Sequence, residues 1–168
     1  MPAATVAYAI ARSPEALGVD VDGLYQRFPG RASDSAGRAG FVAYLQAGGT
    51  LQGVSQAMLA SPEYQSHFAS DAAFVQSLYQ NLLLRTGSNA EVSAWATLLP
   101  QLGRAGVAQD FLLSQEFRDW EVGDDYTQLL DRKLPPSAAE VSGWVGAGLD
   151  LLTIDTLFAA SPEYQTNG

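Results

Sequence analysis

The chain has 168 residues, 47% of them hydrophobic and 16% charged, with 9 Lys+Arg against 18 Asp+Glu and no cysteine. Such a length suits one domain that buries roughly 68–70% of its unfolded surface, and the lack of cysteine excludes a disulfide scaffold, an iron–sulfur cluster, a thiolate zinc site and a cysteine nucleophile. A formal charge of −9 argues against a nucleic-acid partner, which calls for a basic stripe, and a single lysine (Lys133) with a single histidine (His67) equips acid–base chemistry thinly.

In chain order, Met1 to Ala11 is apolar but has no positive leading segment and stops at Arg12-Ser13-Pro14, so it does not read as a secretory leader. No window reaches the ~18–20 apolar residues of a membrane span. These features fit export directed by a distal carboxy-terminal signal, and equally a cytosolic protein. Val6 and Ile10 mark one helical face. Gly18-Val19-Asp20-Val21-Asp22-Gly23 then contains a D-x-D-G run. Two carboxylates one residue apart resemble the start of a calcium loop, with Asp20 and Asp22 as ligands; the run lacks the glutamate and the other oxygens of such a loop. The alternative is a solvated turn ahead of a helix beginning near Leu24. The predicted helices of the middle of the chain are Asp71–Leu84, Ser88–Leu99, Arg104–Leu113 and Gln115–Trp120. The chain stops at Thr166-Asn167-Gly168, just after a structural motif, as a piece excised from a longer protein would.

Self-similarity organises everything between. Ser13-Pro14-Glu15, Ser61-Pro62-Glu63, Ser114-Gln115-Glu116 and Ser161-Pro162-Glu163 recur at spacings of 48, 53 and 47 residues. Each follows an i, i+4 apolar pair: Val6/Ile10, Val54/Met58, Val107/Phe111 and Ile154/Phe158. Upstream, Tyr25, Tyr79 and Tyr126 are each followed six residues later by an arginine, namely Arg31, Arg85 and Arg132. Asp34, Ser88 and Ser137 follow, and seven residues beyond each stands Phe41, Trp95 or Trp144. Ser88 with Glu91, and Ser137 with Glu140, have the spacing of a capping box, while Gly37 leaves Asp34 to cap alone. Ser-Pro-Glu places a hydroxyl at N-cap, proline at N1 and a carboxylate against the positive helix end. No stretch alternates in twos with β-branched content. The expected fold is all-α: three tandem multi-helix repeats of about 50 residues plus an N-terminal half-repeat, packed as one domain over 1–168. The repeat boundaries are approximately 1–19 (partial), 20–69, 70–120 and 121–168.

The repeated arginines either clamp an anionic ligand or pair internally as Arg31–Glu63, Arg85–Glu116 and Arg132–Glu163, and the near-constant separations favour pairing. Phe41, Trp95 and Trp144 are sugar platforms or core anchors, and their shared helical phase favours the core. Trp120 stands apart, because its counterparts are His67 and Asn167. With Asp124, Asp125 and Tyr126 nearby it offers stacking plus hydroxyl acceptors, the needs of a carbohydrate site, although a packed linker is an equal reading. Asp124-Asp125 alternatively caps a helix. No nucleophile elbow, zinc-protease motif or phosphate loop occurs, and His67 has no second histidine to share a metal. The expectation is a non-enzyme without a cofactor, calcium being the one candidate ion.

The pattern Phe74-x3-Leu78-Tyr79-x2-Leu82-Leu83-x-Arg85, then Trp95, then Val107-x3-Phe111-x2-Ser114-x-Glu116-Phe117, resembles the bacterial domain of unknown function 4214 family. Leu24-Tyr25 to Tyr64, and Tyr126 to Tyr164 with Pro135-Pro136 inserted in the turn, are similar to it as well. Leu84-Arg85 and Asp131-Arg132 stand where the family usually has Gly-Arg, and Ser88-Asn89 replaces a Pro-Asp turn. The resemblance implies helical repeats of large secreted or surface-attached bacterial proteins, similar to the anchoring regions of surface-layer proteins. It also implies an extracellular or cell-surface setting with a polysaccharide partner, and carries over no catalytic residue. The alternative is a protein–protein assembly or spacer module.

Overall fold

The computed structural model describes residues 3–167, with the side chains of residues 5–164 and 166; the outer ends of the predicted first and last repeats, at residues 1, 2 and 168, lie outside it. Eleven helices are found among the described residues, and no strand. They are α1 (Ala3–Ala11), α2 (Pro14–Arg27), α3 (Ser35–Gln46), α4 (Leu51–Leu59), α5 (Pro62–Ser66), α6 (Asp71–Leu82), α7 (Asn89–Leu113), α8 (Gln115–Gln128), α9 (Ala138–Gly146), α10 (Leu151–Ala159) and α11 (Pro162–Asn167). The fold is all-α.

Short polar side chains set the starts. The side chains of Ser13, Asp34, Thr50, Ser61, Ser70, Ser88, Ser114, Ser137 and Asp150 each accept from the backbone amide three residues on. Each satisfies a donor that the first helical turn leaves without a partner. Ser88 with Glu91 and Ser137 with Glu140 complete reciprocal capping boxes.

Several boundaries differ from the sequence reading, for identifiable reasons. The expected turn at Gly18–Gly23 is helical, because α2 runs unbroken from Pro14. Gly18 is buried there and leaves space that the Arg38 guanidinium fills from α3. The expected helix Gln115–Trp120 continues to Gln128, so Asp124 and Asp125 lie inside α8 rather than at a cap. The predicted helices Ser88–Leu99 and Arg104–Leu113 are two arms of α7, parted at Gly103, which has φ 66° and ψ 169°. Pro100 cannot continue the amide ladder three residues earlier.

Packing pairs α2 with α3, α6 with α7 and α8 with α9, while α4 lies on α7 and α1 on α10. One core unites them, with Leu17, Val21, Leu45, Val54, Leu59, Phe74, Leu78, Leu82, Val107 and Ile154 fully buried.

The turn after each tyrosine-bearing helix has a left-handed residue just ahead of the arginine. That residue is Gly30 (φ 70°), Leu84 (φ 48°) or Asp131 (φ 48°). The following arginine amide then donates back to the tyrosine carbonyl, at 3.3 Å in all three places. A left-handed conformation costs a non-glycine residue roughly 1–2 kcal/mol, set against about 0.5–1 kcal/mol of extra glycine entropy in the unfolded chain. Leu84 is exposed, so its side chain contributes little burial. Leu84→Gly should therefore stabilise the protein by about 0.5–1 kcal/mol, and Asp131→Gly by less because aspartate tolerates this region better. Denaturant unfolding of the two variants checks this.

Candidate functional site

The repeated arginines meet the glutamates of the Ser-x-Glu turns. Arg31 Nε and Nη2 donate to the two Glu63 carboxylate oxygens at 2.5 and 2.8 Å. Arg85 does so to Glu116 at 2.6 and 3.1 Å, and Arg132 to Glu163 at 2.5 and 2.7 Å. The remaining donors are engaged too. Arg85 also pairs with the capping Glu91 at 2.9 Å and Arg132 with Glu140 at 2.7 Å, while Arg31 lies 3.6 Å from Asp34. Each guanidinium carbon also stands 4.5 to 5.0 Å from the centroid of its tyrosine, Tyr25, Tyr79 or Tyr126. The arginine beside each capping box holds the carboxyls of Glu91 and Glu140 down to about 2, the serine cap adding to the effect. Planar two-point pairing with ring stacking suits arginine and not lysine. These arginines are bound within the fold, with no donor pair turned toward a ligand.

The repeated aromatics pack inward. Trp95 lies 4.9 Å from Phe111, and Trp144 5.0 Å from Phe158, each tilted against its neighbour. Their indole Nε1 groups donate to Tyr79 Oη at 3.1 Å and Tyr126 Oη at 3.0 Å. In the first unit Phe41 offers no donor and meets Tyr25 edge-on at 6.2 Å.

The four candidate ligand residues on α8 divide. Trp120 and Asp124 line an open groove of about 380 Å³ together with Asp119, Gly123, Thr127, Pro135 and Pro136. Positions 120, 123, 124 and 127 share one face of a helix, and Gly123 borders open space there. The Arg27 guanidinium lies 5.2 Å from the Trp120 ring centroid. It also donates to Glu121 at 2.8 Å and to the Asn81 carbonyl at 2.8 Å, fixing α8 to α2 and α6. Tyr126, by contrast, is buried and accepts from Trp144, so it is not a groove residue. Asp125 is turned away from the groove. Its Oδ2 is buried with no donor among the described residues, and it faces Asp155 of α10. Burial, and then the neighbouring carboxyl, raise the Asp125 pKa; burial likewise raises that of Asp155. Glu121, and Asp20 from α2, are also pushed up by burial.

Asp20 and Asp22 do not form a shared oxygen cage. Two residues apart on a helix, they diverge by about 200°. Asp22 accepts from the Ser33 hydroxyl and from Arg38 Nε, the latter at 3.0 Å, and these contacts hold its carboxyl below the ordinary range. Among the described residues no group of three or more His, Asp or Glu is arranged to hold a metal ion.

A hollow that the sequence reading did not single out lies between α3 and α4. It holds about 470 Å³ and is lined by Gly37, Gly40, Phe41, Tyr44, Gly53, Gln56 and Ala57. Gly40 borders open space there, while the Tyr25 and Tyr44 hydroxyls occupy the room left at Gly37 and Gly53, a signal visible only once the two helices are known to face each other. Asp119, Thr127, Pro135 and Pro136 were missed in the Trp120 groove for the same reason.

Two predictions follow from this geometry. Tyr79→Phe and Tyr126→Phe each remove the acceptor of a half-buried indole and should destabilise the fold by about 1 kcal/mol. Tyr25→Phe should be near neutral, because Phe41 has no N–H to leave stranded; chemical denaturation of the three variants separates them. The second concerns pH. Asp125 and Asp155 titrate higher when folded than the ordinary value of 3.8. The folded state therefore holds more protons above that value, and stability falls as pH rises toward the alkaline range. Glu91 and Glu140 act in the opposite sense, and their contribution is lost below the ordinary glutamate value of 4.5. The denaturation midpoint should peak near about pH 5. Asp125→Asn should flatten the alkaline decline and leave the acid limb unchanged, as melting curves across pH will show.

A search of curated proteins finds no match. Residues 55–120 match the model of the family described as Domain of unknown function (DUF4214). That stretch runs from α4 into α8 and includes the whole Tyr79–Arg85–Trp95–Glu116 arrangement. Over residues 55–120, the chain carries the sequence pattern of the DUF4214 family.

Proposed function

We propose that this chain is a non-catalytic bacterial binding module of the cell surface or extracellular space, and that it anchors to polysaccharide at the Trp120 groove. We read it as three units of about fifty residues and an N-terminal half-unit. The observation that carries the binding role is the groove itself: an indole, two carboxylates and a threonine hydroxyl on one side of α8, beside the Pro135-Pro136 turn. A pyranose ring presents a C–H face for stacking and hydroxyls for acidic acceptors, and this is the combination the groove offers. The carboxylates favour a hydroxyl-rich, uncharged stretch of glycan. The other recurring ionisable residues are occupied with one another, which argues for holding rather than turnover.

A glycan array with the purified chain tests this. Binding to a cell-surface or extracellular polysaccharide should fall about tenfold or more in Trp120→Ala and be partly retained in Trp120→Phe. No binding to any such glycan at high micromolar concentration would count against the reading. A second reading, a protein-assembly module, is favoured by one observation. The apolar pair of α1, Val6 and Ile10, is exposed, whereas its counterparts are buried.

A further inference from the structure

The helix that precedes each Ser-x-Glu turn has a set of partners that repeats through the chain. Val54 and Met58, Val107 and Phe111, and Ile154 and Phe158 are at most 3% exposed. Phe111 sits between Tyr79 at 4.9 Å and Trp95 at 4.9 Å, and Phe158 between Tyr126 at 4.7 Å and Trp144 at 5.0 Å. The glutamate just after each of these helices is held by the arginine of that same tyrosine-bearing turn.

The first such helix, α1, has an apolar pair at the same spacing and, among the described residues, none of these aromatic or arginine partners. Val6 is 40% exposed and Ile10 62% exposed. Ser13 caps α2 as its counterparts cap theirs, yet Glu15 is exposed and, among the described residues, takes part in no hydrogen bond or ion pair. α1 is packed on α10, so the helix is already seated while Val6 and Ile10 remain open. Ile10 and Glu15 thus present half of an interface whose other half is written three times elsewhere in the molecule.

We infer that the Val6/Ile10/Glu15 face of α1 and α2 docks a helix pair of the same kind as α6 and the first arm of α7, supplied by a partner repeat protein. The partner contributes an aromatic pair, Tyr and Trp, around Ile10 and an arginine on the Glu15 carboxylate. The inference commits to a partner chain and not to a second copy of this one, because all three such helix pairs here already cover their own helices. It rests on the repeating-unit and assembly reading and is independent of the Trp120 groove. Charge complementarity supports it: a chain of formal charge −9 leaves a lone carboxylate at the edge of an apolar patch, and the occupant brings the cation.

The test uses the full chain with a peptide of residues 70–103 as the surrogate partner, followed by calorimetry and hydrogen exchange. The expected result is one-to-one binding that protects the amides of α1. Ile10→Asp should weaken it at least about tenfold, Glu15→Gln should weaken it less, and a peptide carrying Tyr79→Ser and Arg85→Gln should not bind. Because an isolated peptide must fold as it binds, the same segment is also joined directly ahead of residue 3. In that chain its amides should become protected and the melting temperature should rise. A joined segment that exchanges as fast as the free peptide overturns the inference. So does binding that survives Ile10→Asp, or dimerisation of the unmodified chain through the α1 face. Loss of glycan binding in Trp120→Ala with peptide binding intact separates the two readings.

Discussion

The arrangement rests on one interaction, an arginine held over a tyrosine ring while its two parallel donors meet a glutamate 31 or 32 residues further on. These side chains are between about a quarter and a half exposed, so a single pair of this kind adds little stability in water. Its importance is geometric. The two-point contact fixes both distance and plane, and the ring below fixes the remaining freedom of the guanidinium. One end of the contact is the exit of a tyrosine-bearing helix, and the other is the first turn of the helix that follows the buried apolar pair. The relative orientation of these two helices is therefore set by side chains, while the apolar core between them supplies the driving force.

The turn that delivers the arginine explains an oddity of the sequence. To aim the guanidinium back across the tyrosine, the preceding residue has a left-handed backbone, which glycine adopts freely and leucine does not. Leu84 and Asp131 nevertheless hold it, because the amide-to-carbonyl bond across the turn and the arginine contacts over-determine the local conformation. The same logic applies at Gly103. There a single residue of positive φ parts the two helical arms of α7, as the sequence reading expected.

How much of this could be read from the amino acids alone varies with the range of the interaction. Caps, capping boxes and the helical character of each segment follow from residues three or four apart, and these were legible. Fusion of helices was not. The break expected near Leu24 is absent because Gly18 and Gly23, which look like breakers, sit inside α2, the first beneath an arginine from another helix. Asp124 and Asp125 look alike in sequence, yet one lines the groove and the other is buried against Asp155. Adjacent positions on a helix differ by about 100° of rotation, so a local motif names both while only the packing of α8 on α10 distinguishes them. The family match over residues 55–120 was legible from the Tyr–Arg–Trp–Glu spacing, because that spacing is what the core and the arginine–glutamate contact together require.

Function in such a molecule is best sought where the units depart from one another, since whatever they share is already explained by mutual fit. Trp120 has a histidine, His67, at the corresponding place, and it is the residue that lines a groove. Ile10 has buried phenylalanines or methionine as counterparts, and it lies open. Asp155 occupies a position where the other helices place the small residues Ala7, Ser55 and Ala108. A carboxyl at a site where the other helices have alanine or serine loses water and faces Asp125, and burial raises the pKa of both. In each case the departure costs packing or solvation that the shared pattern avoids. In a chain otherwise built for internal fit, these departures direct attention to α1 and to the groove face of α8, rather than to the arginines that first draw the eye.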